Sequence, residues 1–161
     1  LALAKERELQ PEPVKIDRML EDCIRLVKAE AESHDVRLTS ELGAGDTQIE
    51  IDPKQVTRAV LNVIINAIEA CVSGGRVRVF SRITEDACQI EVRDDGPGLS
   101  KEVIERAFDP YFTTKQTGTG IGLSITRGII EEHGGTISLS SVAGQGAQVL
   151  ISLPLRRKVA K

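Results

Sequence analysis

Two glycine-rich segments, both of a kind that can hold a nucleotide, lie near the middle of this 161-residue chain. The first reads Asp94-Asp95-Gly96-Pro97-Gly98, and the second reads Gly118-Thr119-Gly120-Ile121-Gly122-Leu123. Glycines let a backbone approach a ligand closely, because no Cβ atom stands in the way. The second segment also opens a predicted helix, whose first N–H groups and positive dipole end favour a phosphate. We therefore predict a nucleotide site with the first segment at the base and the second at the phosphates.

Each segment has an ordinary alternative when taken alone. Asp94 at the end of a predicted strand could accept a hydrogen bond from an adenine amino group, but Asp-Gly pairs are also common in plain turns. The second segment follows a loop rather than a strand, and no GxxxxGK[ST] motif occurs in the chain. It is therefore neither a Rossmann nor a P-loop signature.

The stretch between the two segments reads Phe108-Asp109-Pro110-Tyr111-Phe112-Thr113-Thr114-Lys115. Residues 108–120 show no helical or strand periodicity, and a loop of this length is usually functional or mobile. The Lys115 ammonium could reach a terminal phosphate, whereas the ordinary alternative is a solvated lysine. Phe108 and Phe112 either anchor the loop to the core or belong to a lid over the nucleotide, and the sequence does not separate these two roles.

A line of polar residues runs along the longest predicted helix, residues 53–72. Its members are spaced at i, i+4, i+8 and i+11, which places them on one face. They are Arg58, Asn62, Asn66 and Glu69. The line could simply face solvent, but the apolar Leu61 and Ile65 flank it. An Asn side chain can offer its carbonyl oxygen to a hard cation such as Mg²⁺.

The elements that must hold these residues are predicted from apolar periodicity. Asp17 is expected to cap a helix running to residue 31, and Asp52-Pro53 is a strong start signal for the helix 53–72. Further helices are predicted at 100–107, capped by Ser100, and at 122–133, and strands at 36–41, 47–51, 76–83, 90–92, 136–140 and 148–153. In sequence, the predicted strands occur as hairpin-like pairs that are separated by helices. This order favours an α+β two-layer sandwich over a doubly wound parallel sheet.

The composition excludes several functional classes. The net charge is −3 and aromatic residues make up 2% of the chain, so neither charge nor stacking favours nucleic acid. The three cysteines form no CxxC pair, which argues against a zinc site or a disulfide framework. No apolar run is long enough to span a membrane. His34 and His133 form no catalytic arrangement, and His133 is expected to act as a cation at a helix C-terminus.

Taken together, the ordered segments resemble the conserved boxes of sensor histidine kinases. Over residues 14–155 the order and spacing agree with that family, and the segment 108–115 is most similar to nitrogen-regulatory-type kinases, as is Glu131-Glu132-His133-Gly134-Gly135. The matching segments are Asn62–Ala67 for the N box, Asp94–Leu99 for the G1 box, Phe108–Lys115 for the F box, Gly118–Leu123 for the G2 box and Gly144–Gly146 for a third glycine element.

The resemblance implies a Bergerat-type ATP-binding fold, in which a mixed sheet of about five strands plus a hairpin packs on three helices. It implies ATP and Mg²⁺ as ligands, with Asn66 holding the metal and Asn62 supporting the metal or the phosphates. Asp94 would bind the adenine amino group, and Lys115 would stabilise the γ-phosphate, so Asn62, Asn66 and Lys115 are the implied catalytic residues. The implied nucleotide-binding positions are Asn66, Asp94, Gly96, Gly98, Phe112, Thr113, Thr114, Lys115, Gly118, Thr119, Gly120, Ile121, Gly122 and Leu123.

Two departures from the family pattern are informative. ATPase branches usually carry a Glu as general base where this chain has Asn62, and an amide cannot take a proton at neutral pH. This favours a kinase over a water-activating ATPase. Ala147 stands where the family often has a Thr that contacts the adenine region. Loss of one hydroxyl would remove a hydrogen bond of about 0.5–1.5 kcal/mol, so nucleotide binding should weaken only modestly.

The resemblance also implies a domain organisation and partners. Residues 1–13 would be a linker or the end of a preceding dimerisation helix, residues 14–155 the catalytic domain, and residues 156–161 a basic tail. The phosphate acceptor would be a histidine on a separate dimerisation domain, and a response regulator would receive the phosphate. This part is expected to be cytoplasmic, without nucleic acid and without direct membrane contact, and to belong to a homodimeric parent that a membrane segment could anchor. The alternatives are an anti-sigma-type serine kinase and a non-catalytic nucleotide-binding module on the same fold.

Overall fold

The computed structural model of the protein describes residues 8–113, 122–142 and 144–156. Within these ranges the chain forms seven strands and four helices. In chain order they are β1 (Glu12–Lys15), α1 (Ile16–Ser33), β2 (Arg37–Gly43), β3 (Gln48–Ile51), α2 (Pro53–Ala70), β4 (Arg76–Ile83), β5 (Ala87–Asp94), α3 (Lys101–Arg106), α4 (Gly122–Glu132), β6 (Thr136–Ser141) and β7 (Ala147–Pro154). In the described ranges, no helix is both long and apolar enough to cross a membrane.

Five of the strands form a mixed sheet in the order β2-β4-β5-β7-β6. The β2–β4 pair is parallel, and the other three pairs are antiparallel. Helices α1, α2 and α4 pack side by side, with α2 in the middle and against β4 and β5. The predicted α+β two-layer fold, with a mixed sheet of five strands, is confirmed.

The predicted pairing of the two strands before α2 is wrong. β2 pairs in parallel with β4, and β3 pairs antiparallel with β1, at the start of the chain. The second sheet is therefore made of strands distant in sequence and is not a hairpin. The alternation of apolar residues in 48–51 predicted correctly that Ile49 and Ile51 are buried. Alternation fixes which face of a strand is buried, but it carries no information about the partner strand.

The core lies between the sheet and the three long helices. Val77, Val79, Ile90 and Val92 supply the inward face of the central strands, and each is at most 2% exposed. The helix α2 meets them with its apolar stripe. All seven stripe residues within α2 are buried, namely Val56, Ala59, Val60, Val63, Ile64, Ala67 and Ile68. This buried stripe fixes which face of α2 remains available for a ligand.

Helix starts were predicted with mixed success. Asp52 caps α2 as expected, because its Oδ1 accepts hydrogen bonds from the backbone N–H groups of Lys54 and Gln55 at 3.1 and 3.2 Å. Ser100 caps α3 in the same way. Asp17 does not cap α1, which already begins at Ile16. The Asp17 carboxylate instead accepts hydrogen bonds from the N–H groups of the 44–45 turn and from the Ser81 hydroxyl, so it ties α1 to the sheet.

The start of the described chain is tied to the rest of the domain. The strand β1 already includes Glu12 and Pro13, which pair with Ile51 and Glu50 of β3. The backbone N–H of Gln10 donates to Oδ2 of Asp52 at 3.1 Å. Residues 10, 12 and 13, which the sequence assigns to a linker, therefore contact the domain directly.

Candidate functional site

The helix α2 contacts a glycine of each of the two glycine-rich segments. Near its middle, the Asn62 side chain lies so close to Gly122 that a Cβ atom there would stand 2.7 Å from Nδ2. At its C-terminal end, a Cβ atom on Gly96 would stand 2.6 Å from the carbonyl oxygen of Ala70. Eight residues of helix separate the two contacts, a distance of about 12 Å. Asn66 lies one helical turn from each of them, between the two glycine segments.

The polar line on α2 is partly covered by the surrounding protein. Asn62 and Asn66 are half-buried, whereas Arg58 and Glu69 at its two ends are exposed. The interpretation of the line as a wholly solvated face is therefore wrong for its two central amides. An amide carbonyl at Asn66 is an oxygen ligand of the type that Mg²⁺ accepts.

The described side chains indicate what kind of metal Asn66 could help to hold. Among the residues described, no group of three or more His, Cys, Asp or Glu side chains is placed to hold a metal ion. The available donors therefore fit a metal that brings further oxygen ligands with it, as a nucleotide-bound Mg²⁺ brings phosphates and water. They do not fit a tightly held structural metal.

Asn62 is held by a chain of two hydrogen bonds to the first turn of α4. Its Nδ2 donates to Oγ1 of Thr126 at 2.9 Å, and the Thr126 hydroxyl donates to the carbonyl oxygen of Gly122 at 2.8 Å. Leu123, the next residue of α4, is half-buried. Gly122, near the end of the second glycine segment, thus lies directly against α2.

A cavity of about 580 Å³ opens between α2 and α4 beside this contact. Asn62 and Gly122 lie in its wall, but Asn66 and Asp94 are not among its described lining residues. The other described lining residues are Lys54, Thr57, Arg58, Leu61, Ile65, Ile125, Thr126 and Ile129. The cavity therefore adjoins the phosphate end of the expected site without including its base.

Asp94 lies at the end of β5, half-buried, with its carboxylate turned back onto the backbone. Its Oδ1 accepts hydrogen bonds from the N–H groups of Gly96 at 2.9 Å and Ala147 at 3.3 Å. Burial raises the pKa of Asp94 above its ordinary value, although these two backbone donors oppose the shift. Both hydrogen bonds described for this carboxylate go to Oδ1. The other oxygen, Oδ2, is therefore the atom suited to a ligand that donates, such as an adenine amino group.

The third glycine element supports the turn that follows Asp94. Gly146 has a φ of 80°, a conformation that favours glycine, and a Cβ atom there would overlap the Asp94 carbonyl. Gly144 donates its N–H to the carbonyl oxygen of Pro97 at 2.7 Å. Gly98 also has a positive φ, of 77°.

Ser141 links the loop that contains Leu99 to the loop that contains Gly146. Its hydroxyl accepts a hydrogen bond from the N–H of Leu99 at 2.7 Å and donates one to the Gly146 carbonyl at 2.6 Å.

The two phenylalanines of the F box, Phe108 and Phe112, are half-buried with an arginine over each ring, whereas Tyr111 between them is exposed. The guanidinium of Arg127 in α4 lies 5.5 Å from the centre of the Phe108 ring. That of Arg106 lies 4.6 Å from the Phe112 ring. Such cation–π contacts contribute about 0.5–1 kcal/mol each at exposed sites. Phe108 therefore contacts the helix that carries Thr126, which supports its interpretation as an anchor of the loop.

Several predicted site residues lie outside the described part of the chain. These are Thr114, Lys115, Gly118, Thr119, Gly120 and Ile121. Phe112 and the exposed Thr113 are the last described residues before them. Their roles stay predictions. The described structure brings together Asn62 with Gly122, and Asp94 with Gly96 and Ala147.

Sequence reasoning missed two residues that organise the site, Thr126 and Ser141, and gave a different role to a third, His133. The sequence did contain a signal for Thr126, because it is a polar residue on the apolar face of α4. His133 is buried and does not act as a cationic helix cap: its Nε2 accepts a hydrogen bond from the N–H of Asp52 at 3.1 Å. An acceptor nitrogen carries no proton, so the ring is neutral. Ser141 had no signal, because alternating serines are common in exposed strands.

Comparisons with known proteins bear on the family and the fold of this chain. Residues 51–157 match the family model described as histidine kinase-, DNA gyrase B- and HSP90-like ATPase. The chain is 35% identical over 157 residues to the sensor histidine kinase ZraS of Escherichia coli O157:H7, which covers 96% of this chain and 34% of that protein. The chain therefore spans about a third of the length of this curated relative.

Solved structures show the same likeness. The catalytic domain of histidine kinase ThkA has a TM-score of 0.85 at 28% identity, over 92% of this chain and 97% of that one. ThkA in complex with the response regulator protein TrrA has a TM-score of 0.81 at 27% identity, over 94% of this chain and 43% of that one. These matches confirm the predicted fold and the resemblance on which it was based.

Proposed function

The chain belongs to the family of histidine kinase-, DNA gyrase B- and HSP90-like ATPases, and we propose that it is the ATP-binding catalytic domain of a sensor histidine kinase. In this role it holds Mg-ATP and presents the γ-phosphate to a histidine on a separate dimerisation domain. The observation that carries the proposal is the position of Asn66 on α2, between the Gly122 contact and the turn that begins at Asp94. A nucleotide that spans these points has its base at Asp94 and its phosphates at α4.

The protein residues in this mechanism bind and orient. Asp94 accepts the adenine amino group through Oδ2, while Gly96 and Ala147 hold Oδ1. Asn66 offers its amide oxygen to the metal, and Asn62 supports the metal or the phosphates. Lys115 neutralises charge on the γ-phosphate. A bound Mg²⁺ would neutralise part of the negative charge of the phosphates. Catalysis in phosphoryl transfer comes mostly from positioning and electrostatic stabilisation, which this set of residues provides.

The chemistry at Asn62 favours transfer to a protein acceptor over hydrolysis. Its amide cannot act as a general base, and Nδ2 is already committed to Thr126. Rapid activation of a water molecule is therefore not expected from this position. The nucleophile must come from elsewhere, as in a kinase.

Neither histidine of this chain has the sequence context expected of the phosphate acceptor. Both ring nitrogens of His133 have buried hydrogen-bond partners. His34 follows the end of α1, with Nδ1 3.0 Å from the carbonyl oxygen of Glu30. The proposed acceptor is a histidine on a separate domain of the parent protein, and a response regulator is the proposed partner that receives the phosphate. The solved complex of ThkA with TrrA supports a partner of this kind.

Calorimetric titration of this chain with Mg-ATP tests the proposal. Saturable binding in the micromolar to millimolar range is expected, and Asn66→Ala or Asp94→Ala should each weaken it at least about tenfold. Glu69→Ala, at the exposed end of the same polar line, is the matched control and should bind normally. Supplying a dimerisation domain with its histidine should then produce an acid-labile phosphoprotein. No saturable binding at millimolar Mg-ATP would refute the proposal.

A further inference from the structure

Thr126 is a buried polar residue in the first turns of α4. It is 1% exposed, and its neighbours on the same face of the helix, Ile129 and Ile130, are buried apolar residues. A Thr in a helix interior has no advantage over an aliphatic residue unless its hydroxyl has partners. The two partners of this hydroxyl are the Gly122 carbonyl and the Asn62 side chain.

The two hydrogen bonds together determine which way the Asn62 amide points. A hydroxyl carries one proton, and a carbonyl oxygen can only accept. The Thr126 proton is therefore committed to the Gly122 carbonyl, 2.8 Å away, and towards Asn62 the hydroxyl can only accept. Asn62 must then present Nδ2 to Thr126, at 2.9 Å. Because the amide is planar, its Oδ1 then lies on the opposite side of Cγ from the bond to Thr126.

We propose that Thr126 is a positioning residue that keeps Oδ1 of Asn62, and not Nδ2, available to the Mg²⁺ and hydration shell of bound ATP. This inference rests on the proposed function. Hard cations such as Mg²⁺ bind oxygen ligands. The Nδ2 amino group is a hydrogen-bond donor, and in the same place it would direct its protons at the cation. With Val at position 126 the amide loses its described hydrogen-bond partner, which distinguishes its two ends. It can then turn Nδ2 towards the metal.

A purely structural role for Thr126 leads to a different expectation. If the residue only held α4 against α2, its loss would weaken ATP binding to the same degree with and without metal. If it orients Asn62, its loss removes the gain in affinity that Mg²⁺ provides and leaves metal-free binding intact. The dependence on Mg²⁺ therefore separates the two roles.

The experiment compares ATP affinity in excess Mg²⁺ and in excess EDTA for the wild-type chain and three variants. Thr126→Val keeps the shape and removes the hydroxyl, Thr126→Ser keeps the hydroxyl, and Thr136→Val removes a hydroxyl from an exposed position of β6, outside the site. We expect the Mg²⁺-dependent gain to fall about tenfold in Thr126→Val only. A full gain in Thr126→Val, or an equal loss in Mg²⁺ and in EDTA, would overturn the inference.

A second measurement needs neither nucleotide nor metal. The side-chain amide protons of Asn62 in the wild-type chain should exchange slowly with solvent in NMR spectra, because Nδ2 is held by Thr126. Fast exchange in the wild-type chain would overturn the inference even if Thr126→Val failed to fold. A wild-type chain that bound no ATP would refute the proposed function, whereas the exchange measurement decides the orientation of Asn62 by itself.

Discussion

The backbone N–H of Asp52 donates a hydrogen bond to Nε2 of His133, 3.1 Å away and 81 residues later in the chain. The other ring nitrogen, Nδ1, lies 2.7 Å from the carbonyl oxygen of Ile129 and donates to it. Both residues are buried, at 6% and 7% exposure. One neutral imidazole therefore joins the N-cap of α2 to the last turn of α4, the two helices that also meet at Asn62 and Thr126.

Replacement of His133 by Phe should destabilise the domain. The ring volume is kept, but the Asp52 N–H loses its partner inside the protein, and the Ile129 carbonyl keeps only the backbone N–H of residue 133, at 3.3 Å. A buried polar group left without a partner costs about 1–3 kcal/mol. We expect the free energy of unfolding, measured by urea denaturation, to fall by about 2 kcal/mol. His34→Phe is the control, since His34 lies near the surface, and should change stability by less than about 0.5 kcal/mol. Equal effects of the two substitutions would contradict the assignment.

Asp52 should make the stability of the domain depend on acidic pH. Burial alone would raise the pKa of this carboxyl, but the backbone N–H groups of Gln10, Gln55 and Lys54 outweigh it and hold the pKa below its ordinary value. A carboxyl with a lowered folded-state pKa stabilises the protein above its unfolded pKa of about 3.9, and this stabilisation is lost as the pH falls through the folded pKa.

The Asp52→Asn variant keeps an N-capping side chain but cannot ionise. It should be less stable than the wild type at pH 7, by about 1 kcal/mol, and the difference should shrink as the pH falls below about 4. Chemical denaturation at several pH values measures this difference. Asp46→Asn, at a side chain that is 99% exposed, should show no such trend. A difference that grew towards low pH would have the wrong sign for a lowered pKa.

The fold was predictable where local signals agreed. Helix α2 has an apolar stripe, the N-cap Asp52 and Pro53 at its first position, and all of these were found in place. The partner of β3 was not predictable. Its pairing with β1 joins Ile51 to Glu12 across the whole of α1 and β2. The alternation within β3 shows which of its faces is buried, but it does not identify a partner so far away in sequence.

The candidate site, like the fold, was predictable from the sequence only in part. The positions of Asn62, Asn66 and Asp94 on α2 and β5 followed from periodicity and from the family resemblance. The contacts that orient them did not, because each joins residues far apart in sequence. Thr126 is 64 residues from Asn62, and Ala147 is 53 residues from Asp94. Motifs identify the atoms that can touch a ligand, whereas the packing of helices decides how those atoms are oriented.

The Asp94 carboxylate is expected to serve ligand binding while it lowers the free energy of unfolding at neutral pH. Burial raises the pKa of its carboxyl, so the folded chain holds the proton more tightly than the unfolded chain does. The resulting stabilisation is present below the unfolded pKa and is lost as the pH rises through the folded pKa. At neutral pH the folded chain therefore carries an unfavourable charge.

Asp94→Asn removes this charge and keeps an oxygen for the Gly96 and Ala147 N–H groups. The variant should be as stable as the wild type or more stable at pH 7, and the difference should disappear near pH 3. Its ATP affinity should nevertheless fall at least about tenfold, because an amino group replaces the acceptor that faces the adenine. Denaturation and calorimetry measure the two properties separately. The neighbouring Asp95→Asn is the control, and a loss of affinity there of the same size would argue against a specific role for Asp94.

Gly122 and Gly128 lie in the same helix and offer a matched pair of substitutions. A Cβ atom at Gly122 would stand 2.7 Å from Nδ2 and 3.0 Å from Oδ1 of Asn62, so it must displace that amide. A Cβ atom at Gly128 would meet nothing within 4 Å. Gly128→Ala should therefore raise stability by up to about 1 kcal/mol through helix propensity and leave ATP binding unchanged. Gly122→Ala should weaken Mg-ATP binding at least about tenfold, because it moves Asn62 away from its partner Thr126. Thermal denaturation and calorimetry on both variants check this contrast. Normal Mg-ATP affinity in Gly122→Ala would show that the contact between α2 and α4 does not shape the site.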